Sequence, residues 1–498
     1  MPSPLNPNEL RQLGFAGGLP SGRPVYRHLV SAIERGIVAG TLQSGRRLPA
    51  ERQLAASLRV SRATIVAAYR ELEARGLVRG YVGRGTYVSG PPDASGAPFA
   101  WRGKVAAAAL RAASSATRDL VRVSTDPQLL SLAAGIPALD RFPFDAFRQA
   151  LEKVVKKSAS AVWGLGSSEG QPRLREAIAH RFGGSPENIL VLAGAQQGLE
   201  VLARCLIDPG DTIVMDRPGY LGAIQTFRAA GARVIGWDIL RHDLDELEDH
   251  LVRYRPKLMF TVTTFNNPTG WTMPLRLRRD VLALASRLRV PIIEDNTYGE
   301  LHLTPTAPAP TLHSLDTQSI VIGLNSFSKM LSPGLRLGWI AAAPPIIEQL
   351  ALMEPHSLAH NGGQLAVAEL LENGAFDEHL VTLRAEHRRR RDALAAALHR
   401  HIPDGLLRWS TPDGGLYFWC RLGGRLQSAR VSACALAEGV AFTPGEAFYV
   451  DHAGERELRI CYSSVPAGRS DEAARRLGRA ILRARRETSA PPQLVAIV

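Results

Sequence analysis

The chain has 498 residues, with 60 Lys and Arg against 47 Asp and Glu and a net charge of +13. A hydrophobic fraction of 45% with 21% charged residues excludes disorder for most of the length, which suits about three domains. No apolar run approaches the roughly 18 residues of a membrane span. The N-terminal stretch shows no signal-peptide pattern, and four cysteines without a CxxC make no disulfide scaffold. These features predict a cytoplasmic protein with no membrane segment, and no metal-ligating cluster is apparent.

The charge is uneven. Residues 1–90 hold 13 Arg, no Lys, 5 Glu and no Asp, a net +8. A basic end joined to a nearly balanced remainder points to a polyanionic partner. Lysine is scarce: of 60 basic residues six are Lys, and from residue 258 onward Lys329 stands alone.

Residues 20–90 read as a small helical domain ending in a hairpin. Val25, Leu29, Ile33 and Ile37 recur every four residues, the apolar stripe of a helix. LPAERQLAASL places Pro49 in the first turn of a second helix. After a short turn, Ser61 caps a third helix, SRATIVAAYRELEARG, which Gly76 ends. Two helices across such a turn make a helix-turn-helix. LVRGYVGRGTYVSG then alternates around glycines as a two-stranded wing. Arg62, at the start of the third helix, presents paired donors suited to a guanine edge. Arg52, Ser61 and Thr64 suit phosphates, and Gly83 and Arg84 at the wing tip suit a phosphate or the minor groove.

Residues 91–127 read as a linker, opening Pro- and Gly-rich and continuing Ala-rich; the stretch 101–120 is assigned to neither neighbour. Residues 128–375 alternate strands (TIVMDRP, RVIGWDI, KLMFTVTT, VPIIEDN, SIVIGLN, LGWIAAA) with helices such as LGAIQTFRAAG and LRRDVLALASRL. That predicts an α/β domain on a mainly parallel sheet. Residues 376–498 read as a smaller α+β subdomain. Within it HRRRRD (387–392) reads as a solvated helix face.

The α/β part carries a scattered set of chemical residues. Ala195 and Gln196 open a helix whose free N–H groups suit a phosphate. Asn267 lies in FNNPTG, Asp295 and Tyr298 in EDNTY, and Ser326, Ser328 and Lys329 in SFSK, with Arg336 seven residues beyond Lys329. Arg459 sits in the otherwise apolar ELRICYS. This set meets the needs of pyridoxal phosphate. Lys329 supplies the amine nucleophile, Asp295 a carboxylate for the ring nitrogen, Asn267 and Tyr298 donors for the ring hydroxyl, and Arg336 with the 195–196 backbone a phosphate cradle.

PVYRHL, GTLQSGRRLPAERQLAASLRVSRATIVAAY and GRGTYV resemble the GntR-type winged helix. That resemblance implies DNA contacts by Arg52, Arg62, Thr64 and Gly83. Ala63 and Val66 stand where some members carry polar contacts, implying thinner base readout. The order GAQQ, NNPTG, DxxY, SFSK, RLGW and LRI is similar to fold-type I aminotransferases, and the whole chain resembles the MocR-type transcription regulators. The likeness implies that Lys329 carries the internal aldimine, Asp295 pairs with the pyridine nitrogen, and Asn267 and Tyr298 hold the ring hydroxyl. Ala195, Gln196, Ser326 and Arg336 hold the phosphate, Tyr220 covers the ring face, and Arg459 binds an α-carboxylate. It further implies a head-to-tail homodimer on a double-stranded operator with two half-sites. The effector is an amino acid or a vitamin B6 compound; the alternative is a functional aminotransferase. Leu165 departs from a tyrosine that reaches the phosphate across the dimer. Pro355, Gly362 and Gly363 depart within a segment that should cover the cofactor.

Overall fold

A computed structural model describes residues 25–39, 41–43, 45–81, 85–89, 106, 109, 126, 128–354, 359–451 and 453–489. The chain divides into two units, residues 1–105 and 106–498. In the first, helix α1 (Val25–Val38) buries Leu29, Ile33 and Ile37 as their spacing requires. Helix α2 (Glu51–Leu58) starts later than its proline suggests. Ala50 is the extended residue at its cap, and Pro49 stays outside, its carbonyl accepting the Tyr69 hydroxyl at 2.9 Å. Arg59 adopts the left-handed conformation (φ 53°) and turns the chain toward Ser61. The Ser61 hydroxyl accepts the Thr64 N–H at 3.2 Å and so caps α3 (Arg62–Ala74). Strands β1 (Val78–Tyr81) and β2 (Gly85–Val88) pair antiparallel as the wing. Its predicted tip residues Gly83 and Arg84 lie outside the described residues, as does most of 91–127.

The second unit opens with β3 (Leu130–Ser131), which pairs in parallel with β13 (Val440–Ala441). Its centre is a seven-stranded sheet of β4 (Ile189–Leu192), β5 (Thr212–Arg217), β6 (Arg233–Asp238), β7 (Leu258–Thr261), β8 (Ile292–Asp295), β9 (Val321–Ser326) and β10 (Gly338–Ala341). The order is β4-β10-β9-β8-β7-β5-β6. The pairings from β9 to β6 are all parallel, whereas β10 runs antiparallel to both β4 and β9. Strands β4, β5, β7, β8 and β9 therefore deliver their carboxyl ends to one edge, and β10 begins there. A second, antiparallel sheet has the order β11-β12-β15-β14, with β11 Leu407–Trp409, β12 Tyr417–Leu422, β14 Thr443–Pro444 and β15 Glu457–Cys461.

Helix α4 (Ala195–Leu206) follows β4, α5 (Asn361–Glu372) follows the large sheet, and α6 (Ala375–His401) packs on the terminal α7 (Ser470–Ser489). The HRRRRD run in α6 is a solvated face only in part: Arg388, Arg389 and Asp392 are exposed as expected, whereas His387 and Arg390 are buried. Arg390 is 2% exposed; it pairs with Glu386 at 2.6 Å and Asp140 at 2.5 Å, and it donates to the Ser463 carbonyl at 2.7 Å. Buried His387 accepts the Ala138 N–H at 3.1 Å. Charge count does not reveal burial when each guanidinium has a carboxylate or carbonyl waiting for it. Replacing Arg390 with Ala leaves buried Glu386 short of a partner. Urea unfolding followed by tryptophan fluorescence should show a loss of about 3–5 kcal/mol, against the fraction of a kcal/mol typical of a solvated arginine.

Candidate functional site: a cavity at the strand ends

Ligands in open α/β sheets bind at the carboxyl ends of strands, where successive loops converge. At that edge lies a cavity of about 250 Å³. Every residue that the sequence assigned to the cofactor or to a carboxylate lines it: Ala195, Gln196, Tyr220, Asn267, Asp295, Tyr298, Ser326, Ser328, Lys329, Arg336 and Arg459. Gly135, Thr297 and Tyr417 line it too, and sequence reasoning missed them. Thr297 lies inside the DxxY motif, and Tyr417 follows a double glycine; each carried a local signal but no chemical one.

One wall is a chain of polar contacts. Arg459, 4% exposed, donates to Asn267 Oδ1 and to the Ala133 carbonyl, each at 2.8 Å. Asn267 Nδ2 donates to the Tyr298 hydroxyl at 3.2 Å, and that hydroxyl shares a hydrogen bond with Tyr417 at 3.0 Å. The Arg459 guanidinium also lies 4.2 Å from the centre of the Tyr417 ring. Below this wall Asp216, at the end of β5, accepts the Asn266 side-chain amide at 2.9 Å and the Val262 N–H at 2.7 Å. Burial pushes the Asp216 carboxyl up to about 7. It anchors the turn that carries Asn267, and it too went unread in the sequence.

The opposite end is cationic and rich in donors. No side chain caps α4, so its first N–H groups face the cavity at Ala195 and Gln196. Gly194 enters that helix at φ 93°, and a Cβ at Gly338 would stand 2.8 Å from the Ala195 nitrogen. Only glycine lets β10 pass so close. Arg336 donates to the Ala193 carbonyl at 2.8 Å, and the Ser326 hydroxyl accepts the Ser328 N–H at 3.1 Å. The Tyr220 hydroxyl donates to Gln196 Oε1 at 3.3 Å.

Lys329 and Asp295 sit between these ends. Lys329 Nζ donates to the Gly135 carbonyl at 2.5 Å. Burial lowers its pKa from 10.5 to about 8, with Arg459 and Arg336 repelling its charged form. Burial raises Asp295, partly offset by the Thr297 N–H that it accepts at 2.9 Å and by Lys329.

In the head, Arg62 and Arg52 are exposed, and Arg62 Nη2 donates to Glu51 at 2.9 Å. Thr64 is half-buried, and its hydroxyl lies 2.8 Å from that of Ser61. Of the departures, Leu165 is 91% exposed, Gly362 and Gly363 lie in the first turn of α5, and Pro355 is outside the described residues.

Comparison with known proteins agrees with both halves. Residues 127–477 match the aminotransferase class I and II family, and residues 25–88 match the bacterial regulatory proteins of the gntR family. A solved α-aminoadipate aminotransferase, LysN from Thermus thermophilus, complexed with N-(5'-phosphopyridoxyl)-L-leucine, is 32% identical with a TM-score of 0.73. The match covers 78% of this chain and all of that one (100%). The fold and cavity thus define an aminotransferase-type body that follows a winged-helix head in the chain. Regulators also match across both halves. The HTH-type regulator YisV of Bacillus subtilis is 31% identical over 89% of this chain and 93% of its own. The probable rhizopine catabolism regulatory protein MocR of Rhizobium meliloti is 31% identical over 84% and 86%. The chain belongs to the MocR-type transcription regulators.

The residues present fit pyridoxal phosphate. The cavity offers one amine, one buried carboxyl, a donor pair and a cationic end. One buried polar atom of a lining residue, Arg459 Nε, has no hydrogen-bond partner among the described residues. The Lys329 amine should show half-maximal labelling by acetic anhydride near pH 8, read by mass spectrometry of its peptide. Arg459→Leu should move that midpoint upward, because it removes a repelling charge; an unchanged midpoint would refute the electrostatic account.

Proposed function

We propose that this regulator is cytoplasmic and reads an amino acid or a vitamin B6 compound at the Lys329 cavity, converting occupancy into altered operator binding. The observation that carries this reading is the convergence of Lys329, Asp295, Asn267, Tyr298, Arg336 and Arg459 on one cavity in a chain with a gntR-family head. When bound, pyridoxal phosphate supplies an aldehyde and an electron-accepting ring. The chain does the rest. Lys329, with its pKa near 8, holds a usable uncharged fraction at neutral pH. Asp295 keeps a proton at the ring nitrogen, Asn267 and Tyr298 orient the ring hydroxyl, and Tyr220 covers one face. The Ala195 and Gln196 N–H groups, Ser326, Ser328 and Arg336 hold the phosphate. Arg459 seats a carboxylate, exchanging a contact it now makes with Asn267 or Ala133.

The domain scheme is a head at 20–90, a linker at 91–127, the sheet domain at 128–375 and the C-terminal subdomain at 376–498. Two copies pair head to tail and set two winged helices on two half-sites. Phe144, Trp163 and Leu165 are 67%, 74% and 91% exposed, an apolar surface that a second copy would cover. Effector binding shifts the balance of domain arrangements, and the linker passes that shift to the heads. In the head, Arg62 reads a base, Arg52, Ser61 and Thr64 fix phosphates, and Gly83 and Arg84 extend the contact at the wing.

Lys329→Ala separates the readings. For a regulator, gel-shift titration should show basal operator binding retained and its response to pyridoxal phosphate and amino acids lost. Loss of keto-acid formation with an unchanged DNA response would mean that the body is an aminotransferase only. Arg62→Ala should weaken operator binding by about 1–3 kcal/mol and random DNA far less. Equal loss on both would remove Arg62 from base readout.

A further inference from the structure

The large sheet carries a second cleft that the regulatory reading does not use. Neighbouring residues on a strand face opposite sides of a sheet. At the ends of β8 and β9, Asp295 and Ser326 enter the Lys329 cavity, whereas Glu294, Asn296 and Asn325 line a separate cleft. Its volume is about 360 Å³, against about 250 Å³ for the cofactor cavity. One wall is the Ala307–Thr311 segment, held extended by its prolines; another is the Phe182–Trp339 ring pair, with centroids 4.9 Å apart.

The charges in this cleft are already neutralised. Arg181 pairs with Glu300 at 3.1 Å and Asp377 at 2.9 Å. Glu294 accepts the Thr263 hydroxyl at 2.5 Å and the Leu312 and His313 N–H groups at 2.9 Å each. Neither an anion nor a cation gains a partner here without breaking one of these pairs. The neutral polar groups, by contrast, are under-used. Asn296 Oδ1 is buried with no partner among the described residues, and Asn296 Nδ2 reaches Asn325 Oδ1 only at 3.4 Å. The His313 imidazole lines the cleft, and burial favours its uncharged form, which both donates and accepts. Buried polar atoms left unsatisfied in a roomy cleft call for an occupant.

We propose that this cleft is a second ligand site, back to back with the cofactor cavity, for a small uncharged carboxamide or nitrogen heterocycle. Such a ligand gives Asn296 Oδ1 a donor, uses both roles of His313 and lays a flat face against Phe182 and Trp339. Asn296 lies between Asp295 and Thr297, so whatever fixes it also bears on the cofactor side. Cofactor and ligand affinities are then linked reciprocally.

The test is calorimetric titration of nicotinamide, and separately adenine, into the full-length protein saturated with pyridoxal phosphate. The expected result is saturable binding of at least one probe at one site per chain. Asn325→Ala and His313→Ala should weaken it about tenfold or more, with the cofactor absorbance spectrum unchanged as evidence of an intact fold. If either variant fails to fold, Ala309→Trp, which fills the cleft from its partly exposed wall, should abolish binding instead. Absence of saturable heat with both probes overturns the proposal. So does binding that competes with pyridoxal phosphate, or equal affinity in the variants. A soaked crystal showing only ordered water at Asn296 overturns it as well.

Discussion

The buried guanidinium of Arg459 is the interaction on which the body's site depends. A charge 4% exposed is costly unless paired and hydrogen-bonded, and Arg459 draws its partners from three parts of the chain. Asn267 comes from the loop after β7, the Ala133 carbonyl from the segment after β3, and the Thr443 hydroxyl, at 3.3 Å, from β14. The rings of Tyr417 and Phe448 complete its surroundings. Satisfying one cation therefore brings both sheets and the entering segment together. The Asn267–Tyr298–Tyr417 chain hangs from the same point. Under the proposed function, a carboxylate seated at Arg459 competes directly with the contacts that join the layers.

The same cation shapes Lys329. A reactive amine needs low polarity and positive neighbours; a phosphate needs positive neighbours too. Arg336 at one end and Arg459 at the other both repel the charged form of the Lys329 amine, while Asp295 supplies the opposing charge that keeps the cavity from becoming purely cationic. Burial alone would raise Asp295 further. Hydrogen bonding from Thr297, its N–H included, restrains it.

Much of this was legible in the sequence because the site residues stand at strand ends, where motif and turn coincide. SFSK, NNPTG and DxxY each join a strand to a polar turn, so element and chemistry were read together. What escaped lacked that coincidence. Tyr417 reads as an apolar strand residue, and only its 3.0 Å contact with Tyr298 gives its hydroxyl a purpose. Pro49 matched a helix-start rule, yet the tertiary bond from Tyr69 holds it one residue ahead of the cap. The buried part of the HRRRRD run escaped for a related reason: the run's partners Asp140, Leu303, Pro412 and Ser463 come from distant segments. Local charge patterns carry no record of them.

Charge distribution explains why one chain can do both jobs. The +8 of residues 1–90 sits where a polyanion is to be met, leaving the remainder near balance. A body with a large net positive charge would compete with the head for DNA, since phosphate attraction is indifferent to fold. Within that remainder several arginines are held in buried or half-buried pairs, as Arg390, Arg384 and Arg173 illustrate. Choosing arginine over lysine for those pairs has a further effect. Arginine stays charged and unreactive at any physiological pH, so beyond residue 258 one amine, Lys329, answers a carbonyl ligand. Specificity for the cofactor thus begins with removing competitors and only then with shaping a pocket.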